Sequence, residues 1–506
     1  MSEKNASKQF VVTVLFSFFA VALNYIISLV LTPYITENIG TEAYGFVSLA
    51  KTFADYASIF TIALNSFSSR YISVEYYKGN KKKANIYFNS VFIADVVMAV
   101  AILLIAVVVI ARLDSFLSIP KNLVSSVKKL FLLDTINFLI LSCGTVFMTA
   151  TTIKNRLELG SCAKAISYVA EALFLLITFS LLTPNVYYVG IGLIVSSCVI
   201  VALNFVITRK YTPELKLKRG FFSANAVKKL LGAGIRSSVN SLGNTLNTGL
   251  DLLVSNVMLS ALASGQLAIV KTISTIFLTL IQLVATAFQP MQLRYYAEGN
   301  KNQLIKSFKL GIKLNGLVSN IAFAGFTVFG AVYYKLWTPG QDIGVLQTLS
   351  VITIIGSVIE GAIYPLYYGY SLVVKVKIPC FVTILSGLLN VLGMYVLIKY
   401  THMGIYAVVA STTVLTWIVN FLFNPLYLSY CLKIKMTTFY PTLLRHIISS
   451  VVLLLTFYGV SRFLYPTTWL ELIAVAVICI IIGSVVHMTI VMDKGEIKMV
   501  FKRLKS

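Results

Sequence analysis

Apolar segments of about 20 residues recur from one end of the chain to the other, separated by short polar connectors. A segment of this length and hydrophobicity can cross a bilayer as an α-helix. About fourteen are present, at roughly 10–33, 43–67, 87–111, 127–150, 165–183, 188–207, 232–257, 265–289, 310–333, 345–369, 379–398, 404–428, 446–464 and 470–491. The pattern predicts an all-α polytopic membrane protein, and an even number of spans places both termini on one side.

Two stretches about 220 residues apart share one sequence pattern, which indicates an internal duplication. Gly45 and Lys51-Thr52 recur as Gly265 and Lys271-Thr272. The second part of the pattern comprises Tyr76, Gly79-Asn80-Lys81 and Phe88, repeated as Tyr296, Gly299-Asn300-Lys301 and Phe308. Because each half contains an even number of spans, we expect two pseudo-symmetric six-helix lobes that are parallel repeats, related by an axis along the membrane normal.

The repeat and the connectors divide the chain into four predicted parts. The N-terminal lobe, spans one to six, covers 1–207, and a basic inter-lobe linker covers 208–231. The C-terminal lobe, spans seven to twelve, covers 232–431, and 432–506 holds two further spans and a basic tail.

The formal net charge of +24 reflects topology more than a nucleic-acid site. Of the 42 Lys and Arg residues, about 31 fall on the side of the termini and about 5 in the opposite loops. The positive-inside rule therefore predicts that both termini are cytoplasmic, with the basic loops facing membrane lipids. The opposite loops are too short to form an external catalytic domain, so we expect no enzyme.

The predicted seventh helix carries polar residues spaced three or four apart, which places them on one face. They are Ser237, Ser241, Asn244, Thr248, Asp251 and Ser255, and the first helix has the counterparts Ser17, Asn24 and Ser28. We expect helices one, two, seven and eight to line one hydrated cavity. The alternative is that these residues form hydrogen bonds between helices.

Lys51 and Lys271 lie inside apolar spans, where a charge costs about 2.5 to 3.5 kcal/mol on insertion scales. Their symmetry-equivalent positions predict a site for an anionic cargo. Alternatively, Asp55, one turn after Lys51, neutralises it within the helix, whereas Thr275 occupies that place after Lys271. Arg236 is a further candidate substrate residue, but it lies near a cytoplasmic helix end, as Lys313 does, where either side chain can simply snorkel to the interface.

Embedded acids are candidates for ion coupling. Asp251 and Glu360 lie deep in their spans, and with Asp55 they are the predicted sites for a coupling H⁺ or Na⁺. The remaining embedded acids are Asp95, Asp134 and Glu171. The three histidines, His402, His446 and His487, are interpreted as interfacial polar residues, with no metal site. No cofactor is expected, and no nucleotide-binding loop of the Walker type is present.

The chain resembles the multidrug/oligosaccharidyl-lipid/polysaccharide (MOP) exporter superfamily, specifically its bacterial polysaccharide-flippase branch. The resemblance rests on the fourteen-span layout and on the segments LNYIISLVLTPYITENIGTEAYGFVSLAKTF, SSRYISVEYYKGNKKKAN and QPMQLRYYAEGNKNQ. It implies two lobes that open alternately to each side of the membrane around a central cavity. Related lipid II flippases place cations on helices two and eight, matching Lys51 and Lys271, and arginines in helix one, where this chain has Ser17, Asn24 and Ser28.

The resemblance implies a flippase that moves a polyprenyl-pyrophosphate oligosaccharide, an O-antigen or capsule repeat unit, to the outer leaflet of the bacterial cell membrane. A polysaccharide polymerase and glycosyltransferases are possible partners, and no nucleic acid is expected. The alternatives are a cation-coupled multidrug exporter of the same fold and a membrane-bound polymerase or glycosyltransferase. The paired lysines count against the first, and the short outer loops count against the second.

Overall fold

Helices account for nearly all of the described chain. The computed structural model describes residues 3–373, 375–493 and 495–496, and its account of side chains leaves out 3–15, 219, 247 and 248. Within these ranges the chain forms helices joined by turns, with no β-strand. The predicted all-α fold is confirmed.

Twenty α-helices are described. The first eleven are α1 (Glu3–Ile39), α2 (Thr41–Asn65), α3 (Ser68–Tyr77), α4 (Lys81–Ala111), α5 (Leu113–Phe116), α6 (Val124–Gly144), α7 (Thr149–Ile153), α8 (Leu157–Leu181), α9 (Tyr187–Tyr211), α10 (Ala224–Thr248) and α11 (Leu250–Met258). The others are α12 (Ala261–Thr286), α13 (Gln289–Ala297), α14 (Lys301–Trp337), α15 (Ile343–Leu372), α16 (Lys377–Tyr400), α17 (Tyr406–Trp417), α18 (Asn424–Leu432), α19 (Tyr440–Phe463) and α20 (Trp469–Val491). Thr145–Met148 and Arg219–Phe221 are 3₁₀ turns, and Ile418–Phe423 is a π-helical segment.

Thirteen helical stretches in the described ranges are long and apolar enough to span a membrane, so the chain is a multi-pass membrane protein. The predicted count of about fourteen differs from this number at the seventh span. That segment is helical, as α10 and α11, but α10 starts inside the predicted linker and contains Lys228, Lys229 and Arg236 among many Ser and Asn residues. Its polarity keeps it below the hydropathy of the other spans.

By internal packing the chain divides into two compact units, Met1–Gly265 and Gln266–Ser506. The division falls within α12, after the predicted linker, because α10 packs along α2 and joins the first unit. The predicted lobe boundaries stay predictions.

The internal repeat has the same local structure in both copies. The order α2, α3, α4 recurs as α12, α13, α14, a long helix, a short helix and another long helix. Gly79 and Gly299 join the last two helices with φ values of 79° and 67°, in the left-handed region that favours glycine. Asn80 and Asn300 then cap the next helix, each accepting a hydrogen bond from the backbone N–H three residues on. The duplication predicted from these motifs is confirmed at this turn.

The repeated glycines Gly45 and Gly265 contact each other within the first unit. A Cβ at Gly45 would lie 2.8 Å from the Cα of Gly265. A Cβ at Gly265 would lie 2.2 Å from the backbone oxygen of Thr41. Because real Cβ atoms do not approach this closely, only glycine lets the starts of α2 and α12 cross here.

The connector between α9 and α10 is bound along α4. Asn85 donates to the carbonyl of Glu214 (2.7 Å) and accepts from the N–H of Lys216 (2.8 Å). One turn later, Asn89 donates to the carbonyl of Lys216 (2.8 Å) and accepts from the N–H of Lys218 (2.7 Å). These two buried asparagines, four residues apart on one helix face, hold 214–218 as an ordered strap.

The second unit contains a buried polar network where α14, α15, α19 and α20 meet. Asn320 donates to the backbone oxygen of His446 (3.0 Å), and its amide lies 3.1 Å from Nδ1 of His446 and 3.4 Å from Nδ1 of His487. Nε2 of His446 bonds the carbonyl of Val358 (2.9 Å), and Nε2 of His487 bonds that of Lys313 (2.9 Å). The network joins the last two spans to the rest of the unit.

Candidate functional site

Helix α10 packs closely against α2, and glycine makes this approach possible. A Cβ at Gly234 would lie 1.9 Å from the carbonyl oxygen of Ala63. One turn later, Ser238 donates to the carbonyl of Ile59 (2.7 Å). At the far end of α10, the hydroxyl of Tyr56 donates to the carbonyl of Gly249 (3.1 Å). The pairing therefore fixes which face of α10 is turned away from α2.

The opposite face of α10 carries a polar stripe. Arg236, Asn240 and Asn244 are exposed and four residues apart, and each is offset by about half a turn from the side that contacts α2. Ser237 and Ser241, from the predicted stripe, are half-buried beside them, and the side chain of Thr248 lies outside the described ones. An exposed row of one arginine and two amides is costly against lipid and favourable against water. This face is the best candidate for lining a hydrated pathway.

Asn240 was missed by the sequence analysis. Its spacing of four residues from both Arg236 and Asn244 was the available signal.

Lys51 is exposed on α2 and lies in a group of acids within the first unit. It interacts electrostatically with Asp55 on its own helix, as the alternative interpretation of its charge requires. It also interacts with Asp134 of α6 and Glu171 of α8, and Glu171 accepts a hydrogen bond from Ser196. Long-range folding thus adds two acids to the one that the sequence revealed.

Asp251 is buried at the start of α11, and the structure gives it a local role. A carboxylate in the first turn of a helix interacts favourably with the helix dipole. Asp251 also interacts electrostatically with Tyr56 of α2. Asp251 therefore has a structural role at the start of α11, and its role in ion coupling stays a prediction.

The predicted residues of α1 are half-buried. Asn24 and Ser28 are partly accessible, and Ser17 shares a hydrogen bond with Ser161 of α8 (3.0 Å). Ser17 therefore forms a hydrogen bond between helices, which was the alternative to lining a hydrated cavity.

Two buried acids of the first unit retain hydrogen-bonding capacity. Asp95 is fully buried on α4 and accepts from Asn65 of α2 through Oδ1 (2.9 Å), while its Oδ2 has no partner among the described residues. Asp134 accepts from Asn137 through Oδ1 (3.2 Å), and its Oδ2 is likewise unpaired within the described ranges. Buried polar atoms without partners are rare and costly, so both are candidates for binding a proton or cation. The sequence showed them as embedded acids but not their burial.

In the second unit, Lys271 and Glu360 are half-buried. Thr275, which replaces an acid one turn after Lys271, donates to the backbone oxygen of Lys271 (2.8 Å). Glu360 of α15 interacts electrostatically with Tyr364 and Tyr367 of the same helix. Lys271 therefore lacks the intrahelical acid that accompanies Lys51, as the sequence predicts.

Two sequence interpretations are wrong in this unit. His446 and His487 are fully buried rather than interfacial, because both rings bond backbone carbonyls inside the bundle. Lys313 does not snorkel, because its side chain is 6% exposed and its ammonium group lies 2.5 Å from Glu496 and 3.7 Å from Asp493.

No group of three or more His, Cys, Asp or Glu residues in the described ranges is arranged to hold a metal ion.

Comparisons with known proteins agree on the family and fold. The family described as "Polysaccharide biosynthesis protein" matches residues 11–295, more than half of the chain. The uncharacterized membrane protein EpsK of Bacillus subtilis (strain 168) is 26% identical over 486 residues, which cover 96% of each chain.

Two solved structures show the same fold. The lipid II flippase MurJ in an inward closed conformation superposes with a TM-score of 0.70 at 14% identity, covering 95% of this chain and 99% of that one. An inward-facing multidrug resistance MATE family transporter of the MOP superfamily superposes with a TM-score of 0.67 at 15% identity, covering 82% of this chain and 99% of that one. The resemblance predicted from the sequence is confirmed.

Proposed function

The chain belongs to the polysaccharide biosynthesis protein family and has the fold of MOP transporters, and from this premise we propose that it is a flippase for lipid-linked saccharides. The cargo is an oligosaccharide on polyprenyl pyrophosphate, such as a capsule or O-antigen repeat unit. It moves from the cytoplasmic to the outer leaflet by alternating access. MurJ, named as a lipid II flippase, supports this substrate class by analogy.

The observation that carries the proposal is the exposed polar face of α10. Arg236, Asn240 and Asn244 present a guanidinium and two amides on this exposed face. A sugar and pyrophosphate head group cannot cross hydrocarbon unaided, since each polar group would lose its hydrogen bonds to water. A helix face that supplies donors and acceptors lowers that barrier, while the lipid tail stays in the bilayer.

The repeated lysines would hold the pyrophosphate. Lys51 and Lys271 each supply a cation to their own unit, and charge-assisted bonds to phosphate are stronger than neutral ones. We propose that the cargo competes with Asp55, Asp134 and Glu171 for Lys51. Asn24, Ser28, Thr248 and the other stripe residues would then contact sugar hydroxyls.

Coupling to H⁺ or Na⁺ is part of the proposal. Asp55, Asp251 and Glu360 remain candidates, and the unpaired oxygens of Asp95 and Asp134 add two buried carboxyls that could receive a proton or cation. No other cofactor is required.

We propose a location in the bacterial cell membrane, and the distribution of positive charge supports an orientation with both termini cytoplasmic. The proposed partners are the glycosyltransferases that make the cargo and the repeat-unit polymerase that consumes it.

The test is to delete the gene in its own host and locate the lipid-linked saccharides. A membrane-impermeant glycosidase or oxidant applied to spheroplasts should spare the precursors that accumulate, because they remain on the cytoplasmic leaflet. The amount of surface polysaccharide should fall. Reintroducing the wild-type gene should restore the surface polysaccharide and remove the accumulated precursors. Precursors that accumulate on the outer leaflet, or normal surface polysaccharide in the deletion strain, would contradict the proposal.

A multidrug exporter is the second candidate, and one observation favours it. The acids Asp55, Asp134 and Glu171 near Lys51 make this part of the first unit suitable for a cation as well as an anion. This alternative predicts that the deletion strain becomes sensitive to cationic drugs while its surface polysaccharide is unchanged.

A further inference from the structure

A groove lies on the second unit between α16 and the continuous helix formed by α17, the π-helical segment and α18. It encloses about 490 Å³, within the range of small-molecule sites. Its walls are almost entirely apolar, with Leu385 and Leu389 on α16 facing Leu422 and Leu426 across the groove. These four leucines are 37% to 49% exposed, so the groove opens on the surface of the unit.

The π-helical segment Ile418–Phe423 shapes one wall. Pro425 has no N–H, so it cannot bond the carbonyl of Phe421 one turn earlier; that carbonyl instead accepts from the hydroxyl of Tyr440 (2.9 Å). The widened turn places Ile418, Val419, Leu422 and Phe423 in the groove. Such single-turn π-bulges occur frequently at functional sites.

One end of the groove is aromatic. Tyr427 stacks on Phe423 with ring centroids 5.2 Å apart and an angle of 12°, and Tyr430 follows at 6.4 Å and 27°. Tyrosine rings with an apolar body and a polar tip are typical of the membrane–water boundary. We therefore expect this end of the groove to lie at the level of the lipid head groups.

The same end is bordered by two Lys-x-Lys pairs. Lys375 and Lys377 precede the body of α16, and Lys433 and Lys435 follow α18. All four lysines are exposed, and neither segment contains an acid. The hydroxyl of Tyr427 donates to the carbonyl of Lys375 (3.3 Å), and the ammonium group of Lys375 lies 5.4 Å from the ring of Tyr430. The two basic segments thus border the aromatic end of the groove.

We propose that this groove binds an anionic phospholipid, with one acyl chain in the apolar groove and the phosphate on the lysines. Basic pockets between membrane helices bind anionic head groups, and apolar walls alone would not select charge. A topological role for the lysines accounts for their sign but not for their position at the end of an apolar groove. The proposal does not depend on the cargo that the protein transports.

The experiment is a lipid titration of the purified full-length protein, followed by native mass spectrometry. The probes are dioleoyl phosphatidylglycerol and dioleoyl phosphatidylcholine, with polyprenyl phosphate as a third lipid. One variant removes three of the four lysines, as Lys375→Gln with Lys433→Gln and Lys435→Gln. Another narrows the groove, as Leu389→Trp with Leu422→Trp.

Each set has a matched control. Lys82→Gln with Lys216→Gln and Lys228→Gln removes three exposed cations from the first unit. Leu392→Trp places the same ring on α16 at a 56% exposed position that does not line the groove. Thermal unfolding of every variant checks that it is folded.

A lysine near an anionic lipid surface contributes about fivefold in affinity, so the triple cation variant should bind phosphatidylglycerol about 100-fold more weakly. The tryptophan pair should lower binding of the same lipid, and both controls should match the wild type. Equal binding of phosphatidylcholine, or equal losses in the control cation variant, would overturn the proposal. If polyprenyl phosphate binds more tightly than phosphatidylglycerol and the tryptophan pair weakens that binding, the groove is a site for the carrier lipid instead.

Discussion

The strap along α4 gives a prediction whose magnitude follows from counted hydrogen bonds. Asn89→Ala removes one bond donated to the carbonyl of Lys216 and one accepted from the N–H of Lys218. A typical intramolecular hydrogen bond contributes about 0.5 to 1.5 kcal/mol, so closing the strap should become about 1 to 3 kcal/mol less favourable. Asn85→Ala removes the equivalent pair one turn earlier.

Trypsin cleavage measures this opening directly, because the strap carries Lys216 and Lys218. When opening and closing are fast relative to cleavage, the cleavage rate follows the population of the open form. Cleavage after these lysines should therefore accelerate about 5- to 150-fold in Asn89→Ala, and further in the double variant. Asn302→Ala, at an exposed position of α14, should leave the rate unchanged.

Two results would refute this reasoning. One is a cleavage rate in Asn89→Ala that equals that of the wild type. The other is equal acceleration in Asn302→Ala, which would mean that the substitutions act through general unfolding.

Three further predictions concern packing, burial and pH. Gly234→Ala should force α10 from α2 and lower the melting temperature of the purified protein, whereas Gly232→Ala, whose Cβ meets nothing within 4 Å, should not. Asn320→Leu should lower the melting temperature too, because Nδ1 and the carbonyl of His446 lose the Asn320 amide, at about 1 to 3 kcal/mol per unpaired group, whereas Nδ1 of His487 keeps Ser449; Asn302→Leu is the control. The pKa of Glu214 is lowered by its own backbone N–H, by the Tyr76 hydroxyl and by Lys81 and Lys154. The ionised Glu214 therefore stabilises the closed strap above the unfolded pKa of about 4.3, and this stabilisation is lost as pH falls through the lower pKa of the folded state. Hydrogen exchange of the strap, corrected for intrinsic rates, should therefore increase as pH falls below about 4 in the wild type, and Glu214→Gln should remove that dependence.

Local motifs predicted local structure well. The pattern around Gly79 and Gly299 indicated a duplicated turn, because positive φ and an Asn cap are properties of a few adjacent residues. The apolar runs predicted the spans for the same reason, since a membrane helix satisfies its own backbone groups. The seventh predicted span has a lower hydropathy than the other spans because it carries the polar face that we propose lines the pathway.

Long-range contacts could not be predicted from periodicity. The sequence places Asp55 beside Lys51, but only the packing of α6 and α8 adds Asp134 and Glu171. His446 and His487 lie near predicted helix ends, yet their rings are buried because Asn320 and two backbone carbonyls supply partners from other helices. Burial of a polar residue depends on such partners, which one sequence does not reveal.

The most direct test of the central claim is flipping by the purified protein in liposomes. A fluorescent polyprenyl-pyrophosphate saccharide is placed in both leaflets, and flipping is read as the fraction of label that a membrane-impermeant quencher reaches over time. The wild type should flip the lipid faster than protein-free liposomes, Lys271→Arg should retain part of the activity, and Lys51→Gln with Lys271→Gln should fall to the protein-free rate. Lys82→Gln, an exposed cation outside the proposed site, should behave as the wild type. Wild-type flipping in the double variant, or no flipping by the wild type above protein-free liposomes, would contradict the account.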